Sequence, residues 1–477
     1  MRPRQRGDVN TTQPPVLLTP ARRRLLLFLK VGGIGFLILL LHIPLLMTYG
    51  VLRERQQYQR QAQEEIASLW GRRQVITGPV LMVPYAKRVV VQRSRIVDGR
   101  VQAVDVTELS TSRAYFLPEQ LEASGAVDTE LRHRGIYDTV VYGTTLKLAG
   151  QFRPDFAAAG IDADEIYWAK AEILLGVSDL HGVRTVSPLR LAGGQSADFE
   201  TASGLGSAAL PWAAKVASVT SGASLEFSVD VGVQGSERLE IVPVGKTTKV
   251  ELRSRWPDPS FTGSFLPVTR QVGPGGFTAE WQISPFSRGF ASAWGDRMTK
   301  TDEMMSRLSA TTVGVKFAQL VDGYSMAERA QKYGVLFFVL IFTVFFLFEI
   351  MAQLRIHPLQ YAMVGAALCL FFLGFLALSE FLVTGLAYTV AAGACTLLIS
   401  AYSWTFLQAG TRTATIGGGL AATYGYLYFV LKSQDYALVA GAAALFAMLA
   451  IVMFATRRIN WYELDADPRS QPEAAGR

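Results

Sequence analysis

The side chains of this 477-residue chain best suited to chemistry are four histidines, two cysteines and a few carboxylates beside apolar runs. His133 and His181 lie outside those runs, each next to a glycine turn (His133-Arg134-Gly135 and His181-Gly182). Two histidines cannot complete a four-ligand zinc site without carboxylate help, so exposed polar side chains are the simpler reading. Cys369 and Cys395 fall inside apolar runs, which leaves no disulfide framework and no C-x-x-C pair. The sequence contains neither H-E-x-x-H nor a Walker A loop. Gly323-Tyr324-Ser325-Met326-Ala327 resembles a nucleophile elbow, but no strand leads into it and an apolar helix follows. Ser325 and Glu328 instead fit an S-x-x-E capping box, starting a helix that should continue through Tyr333 into the next apolar run. No nucleophile–base pair stands out and no cofactor is implied, so an enzyme is not expected.

The carboxylates at the edges of the apolar runs are more informative. Glu349 closes the second run, Glu380 sits in the tight turn between the third and fourth, and Asp435 precedes the last, while His42 lies within the first. Charge at membrane depth is costly and often functional. All three carboxylates are near run ends where water reaches, so a topogenic or helix-capping role is expected over a proton relay. Gly417-Gly418-Gly419 opens the fifth run, and small residues there suit close helix packing better than a broken transport helix.

The elements that position these groups follow from composition. Half of the residues are hydrophobic and 18% charged, a mixture that suits several membrane spans plus a large aqueous domain. The first 30 residues carry seven basic side chains against Asp8, and residues 51–332 carry 32 basic and 31 acidic. Residues 333–477 carry seven of each, so six of the seven surplus charges reside in a tail containing Arg22-Arg23-Arg24. That is the positive-inside pattern; nucleic-acid binding is excluded because the aqueous block is nearly neutral. Val31–Val51 is long enough to cross ~30 Å of hydrocarbon. No small-x-small cleavage site follows it, so it reads as an uncleaved anchor with a cytoplasmic N-terminus. Five more spans are expected near Gly334–Ile350, Tyr361–Leu378, Leu382–Ala401, Ile416–Leu431 and Tyr436–Ala455. Arg355, His357, Arg412, Arg457 and Arg458 then all face the cytoplasm, and both termini lie inside.

Residues 52–332 thus form an exported domain without cysteines. Tyr58, Ala62, Ile66 and Leu69 have helical spacing, which predicts a stalk over 53–70. Beyond it, Val140–Leu148 and Leu225–Val233 alternate apolar with polar residues, and Val101–Thr107 and Val250–Trp256 do so more weakly, as half-buried antiparallel strands do. The expected fold is a β-rich, sandwich-like domain (72–285) with a juxtamembrane segment (286–332), inserted between helices 1 and 2 of a six-helix transmembrane protein. Ala192–Ser207 reads as a long loop. A five-helix bundle (333–456) and a cytoplasmic tail (457–477) complete the chain.

The order of several strings resembles the CreD-type inner-membrane proteins, a Gram-negative cell-envelope integrity family. These strings include Leu131-Arg-His-Arg-Gly-Ile-Tyr137, Ser178-Asp-Leu-His-Gly182, Arg253 to Pro267 (R-S-R-W-P-D-P-S-F-T-G-S-F-L-P) and Gly276-Phe-Thr-Ala-Glu-Trp281. In the bundle, Lys332-Tyr-Gly-Val-Leu-Phe337, His357-Pro-Leu-Gln-Tyr361, Ser379-Glu380, Asp435-Tyr-Ala-Leu438 and Thr456 to Tyr462 belong to the same set. Phe381 stands where the family usually has His after Glu380, and Gln434 replaces an acidic residue before Asp435, which weakens a relay built on those pairs. The resemblance implies envelope maintenance within a stress response, with altered tolerance to colicins, detergents or β-lactams. It implies no reaction or cofactor.

The reading that results is an exported domain that binds an envelope protein or cell-wall component, with the bilayer as the partner of its anchor. Trp256 and Phe261, with Pro257, Pro259, Phe265 and Pro267, would form either an exposed aromatic surface or a rigid buried turn. The alternative is a permease-like subunit that moves a lipid or toxic small molecule, with Glu349, Glu380 and Asp435 as the residues to test.

Overall fold

A computed structural model describes residues 20–97, 100–202, 210–217, 219–296, 301–317, 323–351, 356–407, 410–433 and 437–457. The chain divides into two units: 57–320 forms one, and 1–56 with 321–477 forms the other.

The 57–320 unit is built on two mixed sheets. The ten-stranded sheet runs along Glu200–Thr201, Trp212–Val216, Ala171–Val177, Gln74–Val97, Arg238–Ile241, Val313–Phe317 and Pro259–Gly263. Arg100–Phe116 also pairs with the long strand Gln74–Val97 over its full length. The nine-stranded sheet runs along Thr269–Gly273, Gly276–Ile283, Thr247–Ser254, Gln120–Arg134, Tyr137–Phe152, Leu225–Ser236, Leu189–Leu191 and Ser196–Ala197. Alternation explains the strands: Leu225, Phe227, Val229, Val231 and Val233 are buried, with Val231 opposite Leu146. Gly232 and Gln234 alternate with these residues on the opposite face, and both are buried as well, because Val183–Val186 and the end of the first helix cover that face. Both sheets feed one apolar core containing Trp281, Phe152, Tyr142 and Ile76, and each such side chain contributes ~1.5–3 kcal/mol on burial.

Three expectations need correction. The pairing is not wholly antiparallel, since Gln74–Ile76 lies parallel to Leu239–Ile241, and Thr247–Ser254 parallel to Gln120–Val127. Ala192–Ser207 is not simply a loop. Its described part forms a short turn and two-residue strands, Ser196–Ala197 and Glu200–Thr201, which add to sheet edges. Ser325 is not an N-cap: the helix Gly323–Lys332 already includes it, and its carbonyl accepts from Arg329 Nε at 3.2 Å.

The second unit is helical. Helix α1 (Pro20–Trp70) supplies its apolar part, with its remaining residues counted in the sheet unit. In chain order, α2 (Thr301–Ala310) belongs to the sheet unit, and α3 (Gly323–Lys332), α4 (Gly334–Met351), α5 (Pro358–Ser379), α6 (Thr384–Leu407), α7 (Gly410–Lys432) and α8 (Ala437–Thr456) build the bundle. The chain does not run straight from α3 into α4; it bends by 54° at Tyr333. Among the described residues, Leu29–Trp70, Pro358–Ser379 and Thr384–Thr405 are long and apolar enough to cross a membrane. The bent α3–α4 pair makes a fourth if it is one span. Threonines and glycines dilute α7, and the apolar part of α8 is the shorter Val439–Phe454.

Candidate functional site

Glu349 was expected within reach of water, but it is only 7% exposed. Its Oε1 accepts from Lys30 Nζ and from the Ile356 backbone N–H (3.1 Å), and its Oε2 accepts from the Tyr361 hydroxyl (2.9 Å). Lys30 Nζ also donates to the Ile356 carbonyl at 3.1 Å. The ammonium balances the carboxylate, and the Ile356 N–H precedes the first turn of α5. There His357 caps the helix and forms a capping box with Gln360. Both carboxylate oxygens thus accept from neighbouring donors, a cation among them, which offsets the cost of burying the group.

Glu380 is built alike at the other end of α5. It is the C-cap of that helix, its side chain is 10% exposed, and its Oε1 faces Arg55 Nε at 3.5 Å and accepts from the Tyr324 hydroxyl at 3.2 Å. Each cluster therefore joins one basic residue of α1, one glutamate and one tyrosine.

Helix geometry relates the two. Lys30 and Arg55 are 25 residues apart, about 38 Å of rise and within about 20° of one face. Leu41, Leu45, Thr48 and Leu52 on that face are buried. The bundle receives them with glycines: a Cβ on Gly334 would lie 2.8 Å from Leu45 Cδ2, and one on Gly365 would collide with Leu41. These two glycines perform the close packing that the sequence suggested for Gly417–Gly419, of which only Gly417 is closely approached, by Ser400. His42 Nδ1 has no hydrogen-bond partner among the described residues. Asp435 lies outside the described residues.

Within the sheet unit, two of the strings noted in the sequence converge on the end of α1. Arg134 pairs with Glu65, and Gln63 reaches the Asp138 carbonyl at 3.4 Å. Trp70 has the guanidinium groups of Arg132 and Arg184 at 4.8 and 5.7 Å from its ring, and its indole donates to the Tyr142 carbonyl. Gln234 donates to the Trp70 carbonyl, where Gly71 turns the chain at φ +135°. Asp179 accepts from the N–H groups of Arg72 (2.8 Å) and His181 (3.1 Å), and Ser178 Oγ accepts from Val75 N–H. Gly182 has no room for a Cβ against Gln74 and the Gln234 carbonyl. His133 and His181 each sit beside an aspartate, Asp138 and Asp179, so both belong to this joint. Burial alone would raise the Asp179 carboxyl, but the Arg72 and His181 donors together hold it below the usual aspartate range.

Sequence reasoning missed Trp70, Gln74, Gln234, Lys30 and Tyr361. A Trp-Gly pair ending a helical pattern was the available signal for the joint; Lys30 was visible only as part of the basic count.

Trp256 is half-buried, its indole donating to the Asp258 carbonyl at 3.1 Å. Phe261 packs edge-on against Phe277 and Trp281, with ring centres 5.8 Å from each. Both side chains rest on the core.

A family model described as "Inner membrane protein CreD" matches residues 26–462. The Inner membrane protein CreD of Escherichia coli (strain K12) is 30% identical over 447 residues, 91% of this chain and 94% of that protein. Among solved structures, an M1 zinc metallopeptidase from Deinococcus radiodurans aligns over 35% of this chain and 38% of its own. Its TM-score is 0.20 at 13% identity, too low to bear on fold or chemistry.

Proposed function

The chain belongs to the CreD family of inner membrane proteins, and from that premise we propose that it maintains the cell envelope through a periplasmic binding domain held by a membrane anchor. In this reading residues 52–332 lie in the periplasm, six helices cross the inner membrane and both termini are cytoplasmic. The observation that carries it is the pair of ion clusters on α1. Lys30 and Arg55 bracket an apolar stretch of membrane length, and each pins a bundle glutamate. The charged clusters of both units are tied by mutual contacts: Glu349 and Asp179 engage neighbouring donors with both oxygens, and Glu380 engages Arg55 and Tyr324 through Oε1. That suits an anchor and a binding module, not a hydrolase or a proton relay, and the domain's partner is an envelope protein or cell-wall component.

The test is detergent and β-lactam susceptibility of a strain lacking the gene, complemented by the full chain or by residues 1–332 at matched abundance. Restored tolerance with the short form is the expected result. Rescue by the full chain alone would assign the activity to the bundle and favour transport.

A further inference from the structure

A groove of about 430 Å³ runs between α1 and α5, within the size range of small-ligand sites. Lys30 and Tyr361 line it together with Gly33, Ile34, Leu37 and Ala362. Its rim is apolar and open, with Leu29, Phe36 and Leu359 each more than 60% exposed. A lysine ammonium has three N–H groups. Those of Lys30 meet Glu349 and the Ile356 carbonyl, and beyond them the ammonium faces only the Tyr361 ring, 6.0 Å away, among the described residues. The Glu349 carboxylate already accepts from Lys30, Ile356 and Tyr361. The α5 N-terminus adds its positive dipole end. Lys30 directly precedes the apolar run that starts at Val31, the level at which headgroups meet hydrocarbon.

We propose that this groove binds one anionic glycerophospholipid, its phosphate accepting from Lys30 and one acyl chain lying over Gly33. The occupant is a membrane lipid because one cation lies in an otherwise apolar groove whose rim residues Leu29, Phe36 and Leu359 are exposed. A second trough, of about 290 Å³, gives a contrast: Leu340, Val344, Ala447, Met448 and Ile451 line it with no cation, so it takes chains without selecting a headgroup. The inference uses the inner-membrane reading for its leaflet only; lipid retention by purified protein does not depend on orientation, so the two fail separately.

Gly33→Leu separates the groove from the ion cluster, because a Cβ at Gly33 meets nothing within 4 Å and Lys30–Glu349 stays intact. The full chain is purified in detergent, offered phosphatidylglycerol or phosphatidylcholine, and retained lipid is counted by native mass spectrometry. The wild type is expected to prefer phosphatidylglycerol by about fivefold, the equivalent of ~1 kcal/mol from one lysine near the surface. Gly33→Leu should lose that preference without a change in melting temperature, and Ala447→Leu should keep it. Equal retention of the two lipids by the wild type would overturn the proposal, as would a preference that survives Gly33→Leu. The wild-type comparison decides the matter by itself if the variant does not accumulate.

Discussion

Glu349 shows how a single charge is held at the margin of an apolar helix. Removing its charge leaves Lys30 without a counter-ion, and the single amide oxygen can serve Ile356 or Tyr361 but not both, since they use different oxygens of the carboxylate. Glu349→Gln should therefore cost about 1–3 kcal/mol, the low side of a broken buried pair because Lys30 is partly exposed. The expected reading is a lower melting temperature of the detergent-solubilised chain, partly restored in Lys30→Met/Glu349→Gln. Asp179 gives a pH prediction. Its folded pKa lies below the ordinary aspartate value of about 3.9, so its stabilising effect is present above that value and fades as pH falls through the folded one. Tryptophan fluorescence should show the sheet unit weakening below about pH 4, with Asp179→Asn showing less of that acid dependence. The sequence revealed the carboxylates but not their partners: Lys30 and Glu349 are 319 residues apart, and no local spacing records that contact.

At the scale of elements, α1 presents leucines to glycines. Gly365→Leu should destabilise the bundle by about 1–3 kcal/mol through overpacking against Leu41, and Leu41→Ala should recover much of that loss. A double-mutant cycle with no coupling would contradict the packing described. Gly182→Ala should act in the same direction in the sheet unit, where Gln74 and Gln234 leave no space. Individual elements were legible: period-2 alternation marked Tyr137–Phe152 and Leu225–Ser236, and continuous apolar runs marked α4 to α6. Strand order was not. The parallel pairing of Thr247–Ser254 with Gln120–Val127 joins segments more than a hundred residues apart, and alternation specifies a face without naming a neighbour. The bend at Tyr333 was hidden because both flanking segments look helical.

For the whole molecule, the charge pattern set a charge-rich block at 52–332 apart from apolar runs, and the structure divides into units at 56/57 and 320/321. What the sequence could not convey is that the family strings Leu131–Tyr137 and Ser178–Gly182 converge on one helix end. Their histidines read as exposed polar side chains in the sequence, and they are parts of a joint once their partners are known. The central claim is that the sheet unit is periplasmic and the termini cytoplasmic. Both native cysteines are buried, so an introduced thiol reports alone. Ala157→Cys sits on an exposed turn of the sheet unit, and Ala475→Cys lies near the C-terminus. With a membrane-impermeant maleimide on intact spheroplasts, the account predicts labelling at position 157 at once and at position 475 only after lysis. The reverse order, or protection of position 157 until lysis, would contradict it.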